Sequence, residues 1–319
     1  MRNPLEGDSM GLFSKSEVVI LKDSCDSKEY LAKLQKLRAT VADSSIAAEK
    51  IDKEIAVTEA GIYGEDSVLF ELKNSGMDLV VIRDLYIQTE DGRSAQIDFF
   101  VITPYANVII ECKNLFGNIE INNNGDFIRS FEYRGRKYKE GIYSPITQNE
   151  RHMLVYKECK KAQKNAFMGF FYDKNFDTYN KSVIVMANPK TVVNDRFAKK
   201  EVKNQVIRCD HLISFLKSLN TDIKTSKKEM LEYGEKVLEL NISDRTDYIQ
   251  KFETLVEETK SCAQEIKNNQ TTKPTEDDGG VCPRCGGKLV LRTAKRGDNK
   301  GNQFYGCTSY PKCRYIRNV

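Results

Sequence analysis

The stretch that decides the fold reads AQIDFFVITPYANVIIECK and covers residues 95–113. It contains two runs rich in β-branched and aromatic residues, which predict two consecutive strands. These runs are Ala95–Thr103 and Asn107–Lys113. Asp98 lies inside the first run, whereas Glu111 and Lys113 end the second. Because side chains alternate along a strand, Glu111 and Lys113 should share one face while the cysteine between them points to the other.

The three charged residues need partners, because an unpaired charge inside a protein is costly. Two carboxylates and a backbone carbonyl supply the hard oxygen ligands that Mg²⁺ or Mn²⁺ takes. A nearby Lys can position or deprotonate an attacking water, while the metal stabilises charge on a phosphate. The pattern therefore indicates a magnesium or manganese site at Asp98 and Glu111, with Lys113 beside it. The alternative is a buried structural ion-pair network of the same three residues.

The surrounding residues predict a mixed α/β domain over 61–220, because apolar strand patterns alternate with helical ones. Further strands are expected at Leu79–Leu85, Ile119–Ile121, Phe127–Tyr133 and Lys181–Ala187. Helices are expected at Gly64–Lys73, from Ser144 to about Asn165, and at Asp210–Leu219. Ser144 followed by Pro145 is typical of a helix start.

The region before this domain, residues 1–60, is predicted to be helical. Residues 27–59 contain no Gly or Pro and favour a single long helix. A weak apolar seam with steps of three and four residues runs along it from Leu34 to Ile62. The seam could mediate self-association with another chain, and the alternative is packing against its own domain or against the later helices. Helical patterns also fill an extension at 221–268.

The strand pair and its surroundings resemble the nuclease-related domain of the PD-(D/E)xK nuclease superfamily. The matching segments follow the family's order: Gly64-Glu65, Gln96-Ile97-Asp98, Ile110-Glu111-Cys112-Lys113-Asn114 with Gly117, and Pro145-Ile146-Thr147-Gln148 with His152. The resemblance implies a restriction-endonuclease-like fold, in which a mixed sheet is flanked by helices, and the hydrolysis of phosphodiester bonds. It also implies that Asp98 and Glu111 bind the metal and that Lys113 assists the water.

Three further residues could belong to that site. Glu65 is a plausible fourth acid, as in exonuclease-type relatives, and the alternative is a carboxylate stabilised by the dipole of a first helical turn. Gln148 and His152 lie four residues apart on one helix and so share a face. The relatives have Tyr where this chain has His152. The alternative for both residues is an ordinary position on a helix surface.

The strands Ile119–Ile121 and Phe127–Tyr133 predict a hairpin through Asn122–Gly125. A basic segment clusters there, just after the site. Its members are Arg129, Arg134, Arg136, Lys137 and Lys139, with Tyr133 and Tyr138 among them. Such a segment could hold a nucleic-acid backbone. A solvated hairpin face is the alternative.

Four of the nine cysteines cluster near the C-terminus with the spacing Cys282-x2-Cys285-x21-Cys307-x5-Cys313. The other five are scattered singly, which suits a reducing compartment, so the cluster is interpreted as metal ligands rather than disulfides. Four thiolates predict a closed, structural Zn²⁺ site. A module this small needs its metal in order to fold.

This cysteine module also resembles the four-cysteine zinc fingers at the C-terminus of type IA topoisomerases. The matching phrases are Cys-Pro-Arg-Cys-Gly-Gly-Lys-Leu from residue 282 and Phe-Tyr-Gly-Cys-Thr-Ser-Tyr-Pro-Lys-Cys-Arg-Tyr from residue 304. The resemblance implies binding of single-stranded DNA, with stacking faces from Phe304, Tyr305, Tyr310 and Tyr315. The alternative is a zinc ribbon for protein contacts.

Charge supports a polyanionic partner for this module. Residues 281–319 hold nine Lys and Arg and one acid, so they carry +8, whereas residues 1–280 sum to −4. A polar segment at 269–280, ending in Gly-Gly, predicts a flexible linker before the ribbon domain at 281–319. No apolar run is long enough for a membrane helix or a signal peptide, which favours a cytoplasmic protein without a membrane partner.

The sequence therefore predicts a metal-dependent nuclease with a zinc-ribbon tail that binds nucleic acid, most simply DNA. The alternatives are a non-catalytic DNA-binding protein that retains the nuclease fold and an interaction scaffold organised by the N-terminal helix. DNA or RNA, endonuclease or exonuclease cleavage, and the oligomeric state are left open by the residues alone.

Overall fold

The computed structural model describes residues 16–243, 248–269, 280–294 and 301–318. Two compact units, Met1–Leu255 and Val256–Val319, make up the chain. The helices are α1 (Asp26–Arg38), α2 (Ile46–Lys73), α3 (Pro145–Ala162), α4 (Ala166–Tyr179), α5 (Lys200–Lys203), α6 (Leu212–Ser218), α7 (Lys227–Leu238) and α8 (Gln250–Asn269). The strands of the first unit are β1 (Val18–Lys22), β2 (Leu79–Gln88), β3 (Ser94–Ile102), β4 (Asn107–Lys113), β5 (Asn118–Ile121), β6 (Phe127–Tyr133), β7 (Arg136–Ile142), β8 (Asn180–Met186), β9 (Val193–Asn194) and β10 (Val206–Arg208). The second unit contains β11 (Leu289–Thr293), β12 (Gln303–Cys307) and β13 (Ile316–Asn318).

A mixed six-stranded sheet with the order β1-β2-β3-β4-β8-β10 is the centre of the first unit. Strands β2, β3 and β4 form an antiparallel meander, and β8 then returns parallel to β4 through α3 and α4. The outer strands β1 and β10 pair parallel to β2 and β8. This architecture confirms the predicted α/β class with a mixed sheet flanked by helices.

Helices cover both faces of this sheet, because each strand of the centre is apolar on both sides. On one face α2 and α6 bury Val68, Leu72 and Leu212 against the strands. On the other face α3 and α7 bury Tyr156 and Met230. None of the described helices combines the length and the apolarity that crossing a bilayer requires.

The alternation of buried faces changes phase in the middle of β2 and β3. Val81 and Phe99 face α2, whereas Leu85 and Ile97 face α3. Residues an even number of positions apart in a strand normally share a face, but Val81 and Leu85 do not, and neither do Ile97 and Phe99. The pairing of β2 with β3 passes from Arg83↔Phe99 to Leu85↔Ile97 and omits the pair between them, Asp84 and Asp98. Asp84 adopts a φ of 55°, a left-handed conformation that Asp tolerates better than most residues.

The predicted single helix over 27–59 is wrong. The structure has two helices packed side by side, α1 and α2, with a turn at residues 39–45. Ser45 ends the turn as the N-cap of α2, where its hydroxyl accepts a hydrogen bond from the amide of Ala48. Helix α2 then continues past residue 60 to Lys73 and includes the segment that was predicted as a separate short helix. Propensity alone missed the turn because that segment contains no Gly or Pro.

The apolar seam of the N-terminal helices is buried against other parts of the same chain. Leu34, Ala48 and Ile51 are fully buried, which agrees with the alternative of packing on its own domain. Self-association through this helix remains a prediction. The domain boundaries also remain predictions, and residues 270–279 of the expected linker lie outside the described residues.

A second sheet, with the order β7-β6-β5-β9, follows directly after β4 in the chain. Its inner face packs Ile119, Ile121 and Phe127 against Ile184 and Met186 of β8. The hairpin β6–β7 extends this sheet outward and contains the predicted basic segment.

Candidate active site and zinc ribbon

Glu111 and Lys113 lie at the carboxyl end of β4 on the face that α3 covers. The Lys113 ammonium lies 2.6 Å from Glu111 Oε1 and donates a hydrogen bond to Gln148 Oε1 on α3 at 3.0 Å. Cys112 packs into the core on the opposite face. The predicted orientation of Glu111 and Lys113 is therefore confirmed, and Gln148 joins them.

Helix α3 is held in place by polar contacts at its first turns. Ser144 caps the helix by accepting a hydrogen bond from the amide of Thr147. Asn149 is fully buried, and its side-chain amide donates to the Ile109 carbonyl at 3.0 Å and to the Ser182 hydroxyl at 2.9 Å. Because these bonds reach β4 and β8, they fix the position of Gln148, the neighbouring residue. The sequence analysis missed Asn149, whose signal was an amide between apolar helix positions.

Glu111 has one oxygen that is bonded and one that is not. Oε2 is buried without a hydrogen-bond partner, and the nearest ring nitrogen, Nδ1 of His152, lies 3.4 Å away and is also unsatisfied. Burial raises the pKa of the Glu111 carboxyl, an effect that the Lys113 ammonium opposes. Burial and the Lys113 charge lower the pKa of His152 to about 4, so the imidazole is neutral near pH 7. A buried carboxylate oxygen and a buried imidazole nitrogen, both without a hydrogen-bond partner, thus lie side by side.

Asp98 adjoins this group from β3. Its Oδ2 accepts a hydrogen bond from the amide of Cys112 at 2.7 Å, and no described Lys or Arg lies within ion-pair distance of it. Burial raises the pKa of Asp98 well above its usual range, and the charges of Glu111 and Glu65 raise it further. Carboxylates held this way favour either a proton or a cation between them.

Glu65 lies on α2 near the same acids but has a cationic partner. Arg83, which is 1% exposed, donates to Glu65 Oε2 from Nε at 3.1 Å and from Nη2 at 3.0 Å. Asp66 accepts from the other terminal nitrogen of Arg83 at 2.7 Å. The sequence analysis missed Arg83, although an Arg-Asp pair inside an apolar strand signals a buried network.

Gly64 explains how Glu65 comes so near the end of β4. A Cβ at this position would lie 2.6 Å from Cβ of Asn114 and 3.3 Å from Sγ of Cys112, so only glycine permits this approach of α2. The Asn114 side chain fixes the contact by donating to the Ala60 carbonyl at 2.7 Å.

The structure joins Glu111, Lys113 and Gln148 by direct contacts, with His152 beside Glu111. Asp98 and Glu65 complete the five residues predicted for catalysis, and both interact electrostatically with this group. The acidic oxygens of the site are not as closely grouped as the cysteine sulfurs: within the described ranges, the cysteines are the one set of ligand atoms that all lie within 4.8 Å of one another. The chemistry of the acidic donors fits a hard divalent cation, since Glu111 Oε2 and Asp98 lack a cationic partner beyond Lys113.

The four cysteines of the ribbon meet between two turns. The Sγ atoms of Cys282 and Cys313 lie 3.7 Å apart, and those of Cys285 and Cys307 lie 3.3 Å apart. A tetrahedral zinc with Zn–S bonds of about 2.3 Å requires sulfurs about 3.8 Å apart. The predicted cluster is thus confirmed, and its geometry fits structural zinc.

The ribbon surface combines rings and cations on its antiparallel sheet. The Arg317 guanidinium lies 4.9 Å from the ring centre of Tyr305. A groove of about 270 Å³ runs beside it. Its lining includes Arg292, Phe304, Tyr310, Arg314 and Tyr315. The aromatic residues named from the sequence therefore lie beside basic ones, with Tyr310 the most open.

Comparisons with known proteins agree with both parts of this description. Residues 60–187 match the family described as Nuclease-related domain, and residues 279–319 match the Topoisomerase DNA binding C4 zinc finger. Among curated proteins, DNA topoisomerase 1 of Methanocaldococcus jannaschii is 26% identical over 178 residues, which are 53% of this chain and 20% of the relative. DNA topoisomerase 1 of Helicobacter pylori strain J99 is 40% identical over 53 residues, 17% of this chain and 6% of the relative. The uncharacterized protein YrdD of Escherichia coli is 36% identical over 58 residues, 18% of this chain and 24% of the relative.

The chain thus spans a quarter or less of the length of these relatives. No solved structure matches.

Proposed function

We propose that this chain, which contains a nuclease-related domain and a topoisomerase-type four-cysteine zinc finger, is a metal-dependent nuclease that hydrolyses phosphodiester bonds in DNA. The observation that carries the proposal is the buried, unpartnered Oε2 of Glu111 beside Asp98. A complete ion-pair network would satisfy this oxygen, whereas here it is left for a ligand such as a divalent cation.

Asp98 and Glu111 would hold Mg²⁺ or Mn²⁺ together with a backbone carbonyl. Bound there, the ion supplies Lewis-acid stabilisation of the negative charge that develops on the scissile phosphate. Glu65 can contribute its second oxygen, because the described bonds of Arg83 all end on Oε2.

Lys113 is positioned to contact the attacking water. Glu111 and Gln148 hold its ammonium from two sides, which restricts the directions of its remaining N–H bonds. An ammonium in this position can orient a water by donating a hydrogen bond to its oxygen, and it can stabilise the negative charge that develops on the phosphate. Gln148 acts as the positioning residue.

The zinc ribbon would hold the substrate. Its four thiolates and one Zn²⁺ contribute −2, so a module with nine basic residues and one acid keeps a charge near +6. Rings beside the basic residues favour single-stranded DNA, since unpaired bases can stack on them. A polar linker would raise the local concentration of DNA at the active site.

The test is cleavage by purified full-length protein of labelled single-stranded and double-stranded DNA and RNA, with Mg²⁺, with Mn²⁺ and without added metal. We expect cleavage of DNA that depends on the metal. Asp98→Asn and Glu111→Gln should abolish it while DNA binding persists. Glu150→Gln, an exposed acid on α3, is the matched control and should cut like wild type.

The competing proposal is a non-catalytic DNA-binding protein that retains the nuclease fold. The pairing of Glu65 with Arg83 favours it, because this pairing uses one acid of the site for structure. DNA binding without cleavage under every metal condition would establish this alternative. A cytoplasmic location stays a prediction from the sequence, where the apolar runs are short and the cysteines outside the ribbon are scattered.

A further inference from the structure

The outer half of the hairpin β6–β7 presents aromatic and basic side chains on one face. Strand register places Phe131 opposite Tyr138 and Tyr133 opposite Arg136, and cross-strand partners share a face. Phe127, at the base of the same hairpin, is buried in the core. Tyr133 and Tyr138, toward the tip, are 51% and 41% exposed.

Three of the rings near the hairpin form a contiguous group, in which two are stacked and the third meets them edge-on. Phe131 and Tyr138 are nearly parallel, with ring centres 5.1 Å apart and an angle of 13° between their planes. Phe116, which is 61% exposed, meets the Phe131 ring edge-on at 6.0 Å. The Arg129 guanidinium lies 4.9 Å from the Phe131 ring centre. Phe131 is half-buried among these neighbours, whereas the exposed rings of Phe116 and Tyr138 offer apolar surface to a ligand.

The charge of the hairpin indicates what kind of ligand fits. Between Phe127 and Ile142 the chain holds five Lys and Arg and two Glu. Arg129 pairs with Glu140 within the hairpin, and Lys139 pairs with Glu120 on β5. Arg134, Arg136 and Lys137 have no carboxylate within ion-pair distance among the described residues. Arg136 lies opposite Tyr133, and the Arg134 guanidinium lies 5.1 Å from the Tyr133 ring centre. Rings beside such cations suit a nucleic-acid strand, whose bases stack while its phosphates pair with the cations.

This group of rings begins, at Phe116, next to the candidate active site. Phe116 follows Lys113 by three residues, so their Cα atoms are at most about 11 Å apart. Gly117 makes this junction tight: its φ is 96°, and a Cβ there would lie 2.6 Å from the Ser130 carbonyl oxygen. The hairpin is therefore held at a fixed distance from Glu111 and Lys113.

From this arrangement we infer that Phe116, Phe131 and Tyr138 form a stacking platform for unpaired bases of the strand whose backbone enters the Glu111–Lys113 site. The inference rests on the proposed function. It commits to single-stranded nucleic acid, because bases inside a duplex have no free face to stack on the rings.

Photocrosslinking tests the platform without requiring cleavage. Full-length protein is mixed with single-stranded DNA that carries 5-iododeoxyuridine at successive positions, without added Mg²⁺ or Mn²⁺, and the crosslinked residues are identified by mass spectrometry. We expect crosslinks at Phe116, Phe131 or Tyr138 in addition to those in the ribbon. Crosslinks confined to residues 280–318 would overturn the inference.

A pair of variants provides a second readout. Phe131→Ala with Tyr138→Ala removes both stacked rings, whereas Phe131→Tyr with Tyr138→Phe keeps them. We expect the first variant to lose about tenfold or more in affinity for single-stranded DNA, with duplex affinity unchanged. The second variant should bind like wild type. Equal single-strand affinity of all three proteins, or a loss confined to duplex DNA, contradicts the platform.

The two proposals can fail separately. Crosslinks to the hairpin without cleavage in any metal would reject the nuclease proposal and support the platform. Metal-dependent cleavage that is unchanged in the ring-free variant would support the nuclease and reject the platform.

Discussion

The Lys113 ammonium lies 2.6 Å from a carboxylate oxygen of Glu111, yet the two side chains differ in their access to water. The Glu111 side chain is 2% exposed and that of Lys113 is 26% exposed. If Glu111 is lost, Lys113 can still be solvated. Loss of Glu111 should therefore affect chemistry more than stability, whereas loss of Lys113 would leave a buried carboxylate without its cation.

Glu111→Gln tests this difference. We expect its free energy of unfolding, measured by urea denaturation without divalent metal, to stay within about 1 kcal/mol of wild type, because the substitution also removes charge repulsion among the acids. A structural ion-pair network predicts a loss of about 3–5 kcal/mol. Glu150→Gln is again the control, and a loss in that larger range would favour the structural interpretation.

Arg83→Met should behave in the opposite way. Arg83 is buried and holds Glu65 and Asp66, so its removal leaves the Glu65 carboxylate without a cation. We expect a loss of about 3–5 kcal/mol in the free energy of unfolding. Adding Glu65→Gln to this variant should restore part of the loss. Denaturation of the single and double variants measures both effects. If the double variant recovers no stability, the unpaired Glu65 carboxylate is not the cause of the loss.

Gly64→Ala should destabilise the chain although alanine favours helices. The new methyl group would meet Asn114 at 2.6 Å, and we expect a cost of about 1–3 kcal/mol from the forced shift of α2. Gly61→Ala is the matched control, because it lies on the same helix with nothing within 4 Å of its Cβ position. That variant should gain about 0.5–1 kcal/mol. Similar denaturation midpoints for the two variants would contradict the role of Gly64.

Purified protein should contain about one zinc per chain, held by the four ribbon cysteines. Cys307→Ser should unfold the ribbon, because its buried cluster consists largely of the ligands themselves. Elemental analysis measures the metal, and amide hydrogen exchange of residues 280–318 reports the unfolding. Lys312→Gln, in the same turn as Cys313, should keep both zinc and protection. Absence of zinc from protein purified without chelator contradicts the assignment.

Removal of residues 281–319 should weaken DNA binding and its dependence on salt. Binding driven by the release of counterions falls steeply with ionic strength, and the basic ribbon supplies most of the relevant charge. A titration of full-length and shortened protein between low and physiological salt measures the two slopes. Equal slopes and equal affinities would remove the ribbon from the DNA-binding surface.

Much of the central fold was predictable because its strands carry strong local signals. The runs around Asp98 and Glu111 are apolar, bounded by turn residues and rich in β-branched side chains, and the structure places strands there. Strand β1 was not predicted, since it is a short edge strand that pairs with β2, about 60 residues away in the chain. The break between α1 and α2 was missed because it depends on packing between the two helices and on the Ser45 cap.

The acids of the site were predictable from their position, whereas their partners were not. Alternation along β4 fixed the shared face of Glu111 and Lys113, and the helical spacing placed Gln148 and His152 together. The Arg83 bonds to Glu65 and the anchor at Asn149 arise from contacts between distant segments. No local pattern specifies which cation reaches which acid.

At Asp84 and Asp98, the positions that face α2 and the positions that face α3 are exchanged in both β2 and β3. On each side of that rung, a one-residue deletion or insertion in a single strand would exchange the inward and outward side chains of its outer half. The buried side chains of the two strands match only because both strands change phase at the same pair of residues. Length changes in β2 and β3 should therefore be tolerated only as matched pairs, one in each strand, and an unmatched change at this rung would displace Asp98 from the site.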